Sequence, residues 1–278
     1  MICIVTGANS GIGRELTRQL AHQGAHVVMV CRNPERAREA LDDVRRTTKA
    51  ESVEVLIADL SSMAEVRKAA AELRSRFPRV DVLMNNAGVY LPARRVSADG
   101  LEMMFALNHL APFLLTRELM PSLAAAERPR VITTSSEAHR FGHLAFDDLQ
   151  WDRGVFSGFR QYANTKLANI LFTRELARRE GARGLVAHCF HPGVVRSGFA
   201  QDEAGLFGTL VRMGGPFMRT AEKAARIGTY LATADEPLQQ NGLYYANSRP
   251  RTPTREARND EVARRLWEVS ERLLERVE

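Results

Sequence analysis

The 278-residue chain predicts an α/β fold: one doubly wound, mostly parallel sheet of about seven strands with helices on both faces. Short apolar runs alternate with longer stretches of helical periodicity along most of the chain. A glycine-rich turn lies directly between the first apolar run and the first helical stretch. There is no repeat, low-complexity tract or linker, so residues 1–278 read as one domain.

The first strand is Ile2–Val5, and Ile12, Leu16 and Leu20 place one apolar stripe on the helix after it. His26–Cys31 reads as the second strand. Pro34 then opens a helix where its fixed φ is favourable. Val53–Ile57 is the third strand, and Ser62 with Glu65 forms a capping-box pattern for the next helix. Val80–Met84 is the fourth strand, followed by helical stretches over roughly Gly100–Leu123. Arg130–Thr134, Leu185–Phe190 and Leu243–Tyr245 supply three more strands, with a long helix over Gly158–Glu180 and another near the C-terminus. The segment from Ser197 to Thr220 is rich in glycine and in apolar residues such as Phe199, Leu206, Phe207 and Phe217. It is read as a cover over an apolar substrate.

Apolar residues make up 45% and charged residues 26%, ordinary values for a folded soluble protein. No apolar stretch reaches the ~18 residues of a membrane span. The N-terminus lacks the pattern of a signal peptide, so the chain is expected in the cytoplasm. Cys3, Cys31 and Cys189 are far apart and fit a reducing compartment as buried thiols. No Cys/His spacing suggests a metal. The net charge of +6 is spread over helix faces such as Arg36, Arg38, Arg45 and Arg46. No basic run interleaved with aromatics points to nucleic acid.

The turn Thr6-Gly7-Ala8-Asn9-Ser10-Gly11-Ile12-Gly13 is spaced GxxxGxG rather than GxGxxG, and its position directly between strand one and helix one reads as a nucleotide-binding loop. Its glycines let the backbone bend sharply and approach a pyrophosphate, and the helix N-terminus behind it favours negative charge. The end of strand two bears on which dinucleotide binds. Cys31-Arg32 stands where a carboxylate would select NAD; Arg32 can instead pair with a 2′-phosphate, which favours NADP(H) over NAD(H). Arg14 offers a second cation, and Asp59 and Leu60 after strand three are placed to edge an adenine.

Tyr162 and Lys166 are four residues apart in a helical pattern and share a face. A phenol needs its pKa moved by roughly 3 units, ~4 kcal/mol, to act as a base near neutrality. A nearby ammonium and a cationic nicotinamide ring can supply that. Ser136 can hold a substrate oxygen, and Asn108 can hold a water behind the lysine. With Tyr162 available, His139, His143 and His191 are not needed as bases.

Taken together, the glycine turn, Asn85-Asn86-Ala87-Gly88, Asn108, Ser135-Ser136, Tyr162/Lys166 and His191-Pro192-Gly193 resemble the short-chain dehydrogenase/reductase superfamily. The resemblance covers nearly the whole chain. It is closest to the retinol dehydrogenase and WW-domain-containing oxidoreductase branch through Cys31-Arg32, Asn108-His109-Leu110, Ser136 to His139, Tyr162 to Asn169 and Leu266 to Ser270. It implies a Rossmann-like dinucleotide-binding domain, with Ser136 rather than Ser135 as the catalytic serine beside Tyr162, Lys166 and Asn108. It further implies Asn86 and Ala87 beside the adenosine ribose, Gly88 among the cofactor-binding residues, and Pro192 and Gly193 flanking the nicotinamide. Val195 would meet the carboxamide, and Ser197 stands where threonine is usual. The sequence shows neither the membrane anchor that bound retinol dehydrogenases carry before the glycine turn nor a WW domain, which weakens any transfer of retinoid biology. The expected reaction is interconversion of an alcohol and a carbonyl on a small apolar substrate. The rivals are the same reaction with NAD, or an NADP(H) sensor without turnover. The resemblance allows a homodimer or homotetramer through the helices around Asn108 and Tyr162. The C-terminal helix, with Leu266, Val269, Leu273 and Leu274, packs either on its own core or on a partner.

Overall fold

A computed structural model describes residues 1–193 and 219–277. Strands are β1 (Ile2–Thr6), β2 (His26–Cys31), β3 (Val53–Ile57), β4 (Val82–Asn85), β5 (Arg130–Thr134), β6 (Val186–His191), β7 (Leu243–Ala246) and β8 (Arg249–Arg251). Helices are α1 (Gly11–His22), α2 (Pro34–Thr48), α3 (Met63–Arg76), α4 (Met103–Phe105), α5 (Ala111–Ala124), α6 (Gly158–Glu180), α7 (Ala221–Thr233) and α8 (Asp260–Glu275). The sheet order is β3-β2-β1-β4-β5-β6-β7-β8. All neighbours are parallel except β7 and β8.

The central strands are apolar on both faces, as a sheet covered twice requires. One face carries a core with α3, α5, α6 and α8, including Leu73, Phe113, Leu171, Phe172 and Trp267. The other face packs against α1, α2 and α7 through Leu16, Leu20, Val44, Ile227 and Leu231. Each such buried leucine contributes about 2 kcal/mol. The winding direction reverses between β1 and β4, so their C-terminal ends open a crevice with those of β5 and β6.

Four local features go beyond the sequence expectation or depart from it. The sheet has eight strands among the described residues: β8 returns antiparallel from β7 through Asn247 and Ser248, with φ of 56° and 55°. Two consecutive positive φ values make the tight turn that suits a twisted hairpin. β8 itself is three exposed residues containing Pro250, so it carries no alternating apolar pattern. Helix α7 is the second. Thr220 caps it, accepting from the Lys223 amide, but Gly228 interrupts its helical signal. That glycine is a contact point: a Cβ there would lie 2.7 Å from a methyl of Leu16. Third, Ser62 is the N-cap of α3 but makes no side-chain cap bond; the Met63 amide donates instead to Asp99, at 2.8 Å. The fourth resolves an alternative that the sequence left open: the C-terminal helix packs on its own chain, with Leu266, Trp267 and Leu274 buried. No helix among the described residues is long and apolar enough to cross a membrane.

Candidate active site

The glycine turn is held from three sides. Thr6 Oγ1, at the end of β1, accepts from the amides of Asn86 (2.9 Å) and Ala87 (3.0 Å). Asn86 Nδ2 returns a bond to the Thr6 carbonyl at 3.0 Å, so the ends of β1 and β4 are bracketed together. The Cys31 thiol, at the end of β2, lies against the backbone of Ala8 and Asn9. Gly7 has φ of +65°, and a Cβ on it would meet the Ala87 backbone at 2.9 Å; one on Gly13 would meet the Gly7 carbonyl at 2.2 Å. Only glycine closes this turn.

The turn delivers Ser10 to the N-cap of α1 without a side-chain cap bond, and no acidic residue occupies the first turn. The first-turn amides around Gly11, Ile12 and Gly13 therefore face the crevice without a side-chain cap. Arg32 is exposed and makes no ion pair among the described residues. These features fit an anionic dinucleotide. Arg14, by contrast, leans toward Asp43 at 3.9 Å. Asp59 is turned onto its own loop, accepting from Ser61 N (3.0 Å) and Ser61 Oγ (2.8 Å), while Leu60 is buried.

Asn108 sits in a single π turn, Ala106–Leu110, between α4 and α5. Its cause is readable: Pro112, four residues on, has no N–H to give the Asn108 carbonyl, and its ring crowds that position. The fully buried Asn108 side chain grips the next loop, accepting from Val89 N (2.8 Å) and donating to Val89 O (2.9 Å) and Thr165 Oγ1 (3.1 Å). Gly88 passes against this pair of elements: a Cβ there would lie 3.2 Å from Asn108 Oδ1 and 3.6 Å from Lys166 Nζ.

Tyr162 and Lys166 occupy the second and third turns of α6, whose N-cap is Ser157. The Lys166 ammonium lies 5.4 Å from the centroid of the Tyr162 ring and donates to the Thr134 carbonyl at 3.3 Å. Tyr162 lies beside Ser136, the N-cap of a 3₁₀ turn over Glu137–Phe141, near enough for that side chain to act on the phenol. Burial pushes the phenol up to about 12, against the smaller lowering from Ser136. Burial also brings Lys166 down to about 8. The expected drop of Tyr162 toward neutrality is therefore not achieved by the protein's own groups: desolvation outweighs the lowering by Ser136.

Ser135 points away, donating to the Lys166 carbonyl at 2.8 Å. His139 holds the Ser136 carbonyl at 2.7 Å through Nδ1, and His191 accepts from the Glu137 amide at 3.2 Å. Burial is the main cause lowering both histidines, His191 to about 4. Pro192 is buried after β6, and Gly193 has φ of +91° with Arg219 packed over it. Val195, Ser197 and nearly all of the apolar 197–220 segment lie outside the described residues.

The sequence reading did not single out Tyr90, which packs edge-on to Tyr162 at 5.8 Å, or Met104 in the same small cluster. Nor did it find Glu102, fully buried, whose carboxylate accepts from Met104 N, Phe105 N and Gln161 Nε2. Glu102 thereby ties the approach to Asn108 to the residue before Tyr162. Its legible signal was a lone acid opening an apolar helix.

A family model for short chain dehydrogenases matches residues 1–204. The chain belongs to the short-chain dehydrogenase family. Within that family of oxidoreductases it falls in the retinol dehydrogenase branch. It is 39% identical to human retinol dehydrogenase 13 over 277 residues, covering 98% of this chain and 83% of the relative. Human retinol dehydrogenase 12 is 38% identical over 275 residues, covering 98% and 86%. Among solved structures, an uncharacterized protein from Mycobacterium paratuberculosis superposes with a TM-score of 0.80 at 32% identity, covering 99% of this chain and 93% of the other. L-Sorbose reductase from Gluconobacter frateurii, complexed with NADPH and L-sorbose, shares the fold with a TM-score of 0.70 at 21% identity, covering 88% and 93%.

Proposed function

We propose that this short-chain dehydrogenase interconverts an alcohol and a carbonyl on an apolar substrate, using NADP(H), with Tyr162 as the acid/base. The observation that carries the reading is the meeting of Ser136, Tyr162 and Lys166 at the C-terminal end of β5, beside the glycine turn. NADP(H) is favoured over NAD(H) by Arg32, exposed at the end of β2 with no carboxylate in its place. Known relatives of the fold bind it too: the sorbose reductase was solved with NADPH. The names of the retinol dehydrogenases support an apolar substrate. Three buried, unpaired thiols fit a reducing compartment, which we read as the cytoplasm.

A bound nicotinamide supplies or accepts the hydride. Ser136 Oγ holds the substrate oxygen. Tyr162 donates its proton to that oxygen during reduction, and its raised pKa keeps the phenol protonated at neutral pH for that task. Lys166 would hold the nicotinamide ribose, and its ammonium favours the phenolate that remains. Asn108 holds Val89 and Thr165, and with them the wall behind Lys166.

The test is loss of reduced-nicotinamide absorbance from NADPH and from NADH with a panel of apolar aldehydes and ketones. Carbonyl-dependent oxidation with NADPH preferred is the expected result. Tyr162→Phe should lower kcat by roughly 10²–10⁴-fold while NADPH still binds. Normal turnover in that variant would remove Tyr162 from the chemistry.

A further inference from the structure

Three stretches of the chain meet behind Lys166: Asn108-His109-Leu110, the run ending at Asn169, and Leu266 to Ser270. Asn169 follows Lys166 by three residues on α6 and lies on the same side of the helix. Only 2% exposed, it donates from Nδ2 to the Thr134 carbonyl at 3.2 Å. The same carbonyl accepts Lys166 Nζ at 3.3 Å. One carbonyl with two lone pairs therefore receives both donors.

The other end of Asn169 continues inward. His109, on the π turn beside Asn108, is buried and lies 2.9 Å from Ser270 Oγ on α8 through Nε2. His109 Nδ1 and Asn169 Oδ1 are both buried without a hydrogen-bond partner among the described residues, and Asn169 is near enough to the imidazole to influence its protonation. Burial keeps that imidazole neutral. Ser270 Oγ donates to the Leu266 carbonyl; turning that hydroxyl toward His109 Nε2 places the imidazole proton on Nδ1, facing Asn169 Oδ1, while Asn169 Nδ2 donates to the Thr134 carbonyl. The Leu266 carbonyl, 2.8 Å from Ser270 Oγ, loses nothing essential, since it faces a helical amide as well.

We propose that Asn169 is a positioning residue that shares the Thr134 carbonyl with Lys166 and so sets the reach of the ammonium toward the nicotinamide ribose, with His109 and Ser270 tying that setting to α8. This rests on the ribose-binding role of Lys166 given above. Without the Asn169 amide, the second lone pair of Thr134 is free and a void opens beside Lys166. The ammonium is then drawn back from the crevice.

NADPH affinity, read by fluorescence titration, tests this without requiring turnover. Asn169→Ala is expected to weaken NADPH binding about tenfold, and Ser270→Ala about two- to fivefold in the same direction. Where a substrate turns over, the KM for NADPH rises while that for the carbonyl stays within about twofold. Leu176→Ala, a core truncation further along α6, lowers stability but leaves NADPH affinity unchanged, which separates positioning from mere destabilisation. Wild-type affinity in Asn169→Ala, with binding lost in Lys166→Ala, overturns the proposal and leaves the ribose contact standing. Wild-type affinity in Lys166→Ala would overturn the ribose contact itself. Should Asn169→Ala fail to fold, Ser270→Ala decides: unchanged affinity there overturns the relay.

Discussion

Arg32 stands exposed beside Cys31, whose thiol braces the glycine turn. A guanidinium there can bond a 2′-phosphate, and such charge-assisted bonds contribute about 1.5–3 kcal/mol. Arg32→Ala should therefore raise the KM for NADPH by roughly 10–100-fold, with NADH changed by less than about threefold. Equal losses with both cofactors would show that Arg32 does not read the 2′ position. Lys166 makes a second residue-scale prediction through pH. Burial lowers it to about 8, so its ammonium is present below that pH and is lost as pH rises through it. The phenol, pushed up to about 12, stays protonated across the same range. Reductive kcat/KM for NADPH should thus be level near neutrality and fall with a midpoint near pH 8. A profile level to pH 10 or beyond (on the order of two units higher) would assign the ammonium no part in binding. That Tyr162, Lys166 and Ser136 meet was legible from their spacing on α6 and their order along the chain. The direction of the Tyr162 shift was not, because burial depends on Tyr90 and Met104, distant in sequence.

At the scale of elements, most boundaries were legible where a period or a cap marks them. β2, β3, β5 and α6 fall on the residues that the apolar runs and Ser157-Gly158 delimit. The π turn at Asn108 was not anticipated, although its cause, Pro112, is in the sequence; helical periodicity alone does not register one extra residue in a turn. Helix α8 illustrates what periodicity leaves open. Its apolar stripe demanded a partner, and only the fold shows that the partner is this chain. Trp267 packs edge-on to Phe113 at 4.7 Å and stacks near Phe172 at 6.0 Å, with the Arg179 guanidinium 4.5 Å from its ring. Removing so large a buried ring costs about 3–5 kcal/mol. Trp267→Ala should lower the urea midpoint accordingly. An unchanged midpoint would mean that α8 opens separately from the rest and adds nothing to the cooperative unit.

For the whole molecule, the alternation of strands and helices was sufficient to foresee a parallel sheet, because each parallel pair needs a crossover helix. The strand order was harder. β1 pairs with β4, which starts 80 residues after β1 does, and no local pattern encodes that pairing. What encodes it is the bracket of Thr6 with Asn86 and Ala87, polar groups that are satisfied only when the two strand ends meet. The same nonlocal sheet buries all three cysteines, on β1, β2 and β6. Burial pushes Cys3 and Cys189 up to about 12 and Cys31 to about 11. Since the thiolate is the reactive form, all three are shielded twice, by lack of access and by protonation. The native protein should give almost no reaction with a disulfide reagent near pH 8, and in denaturant the three thiols should react together in one phase whose rate follows the loss of helical signal. These strands lie on both sides of the β1–β4 junction, so a common rate would mark the sheet as one cooperative unit. A thiol reacting quickly in the native protein would instead locate a part of the sheet that opens alone.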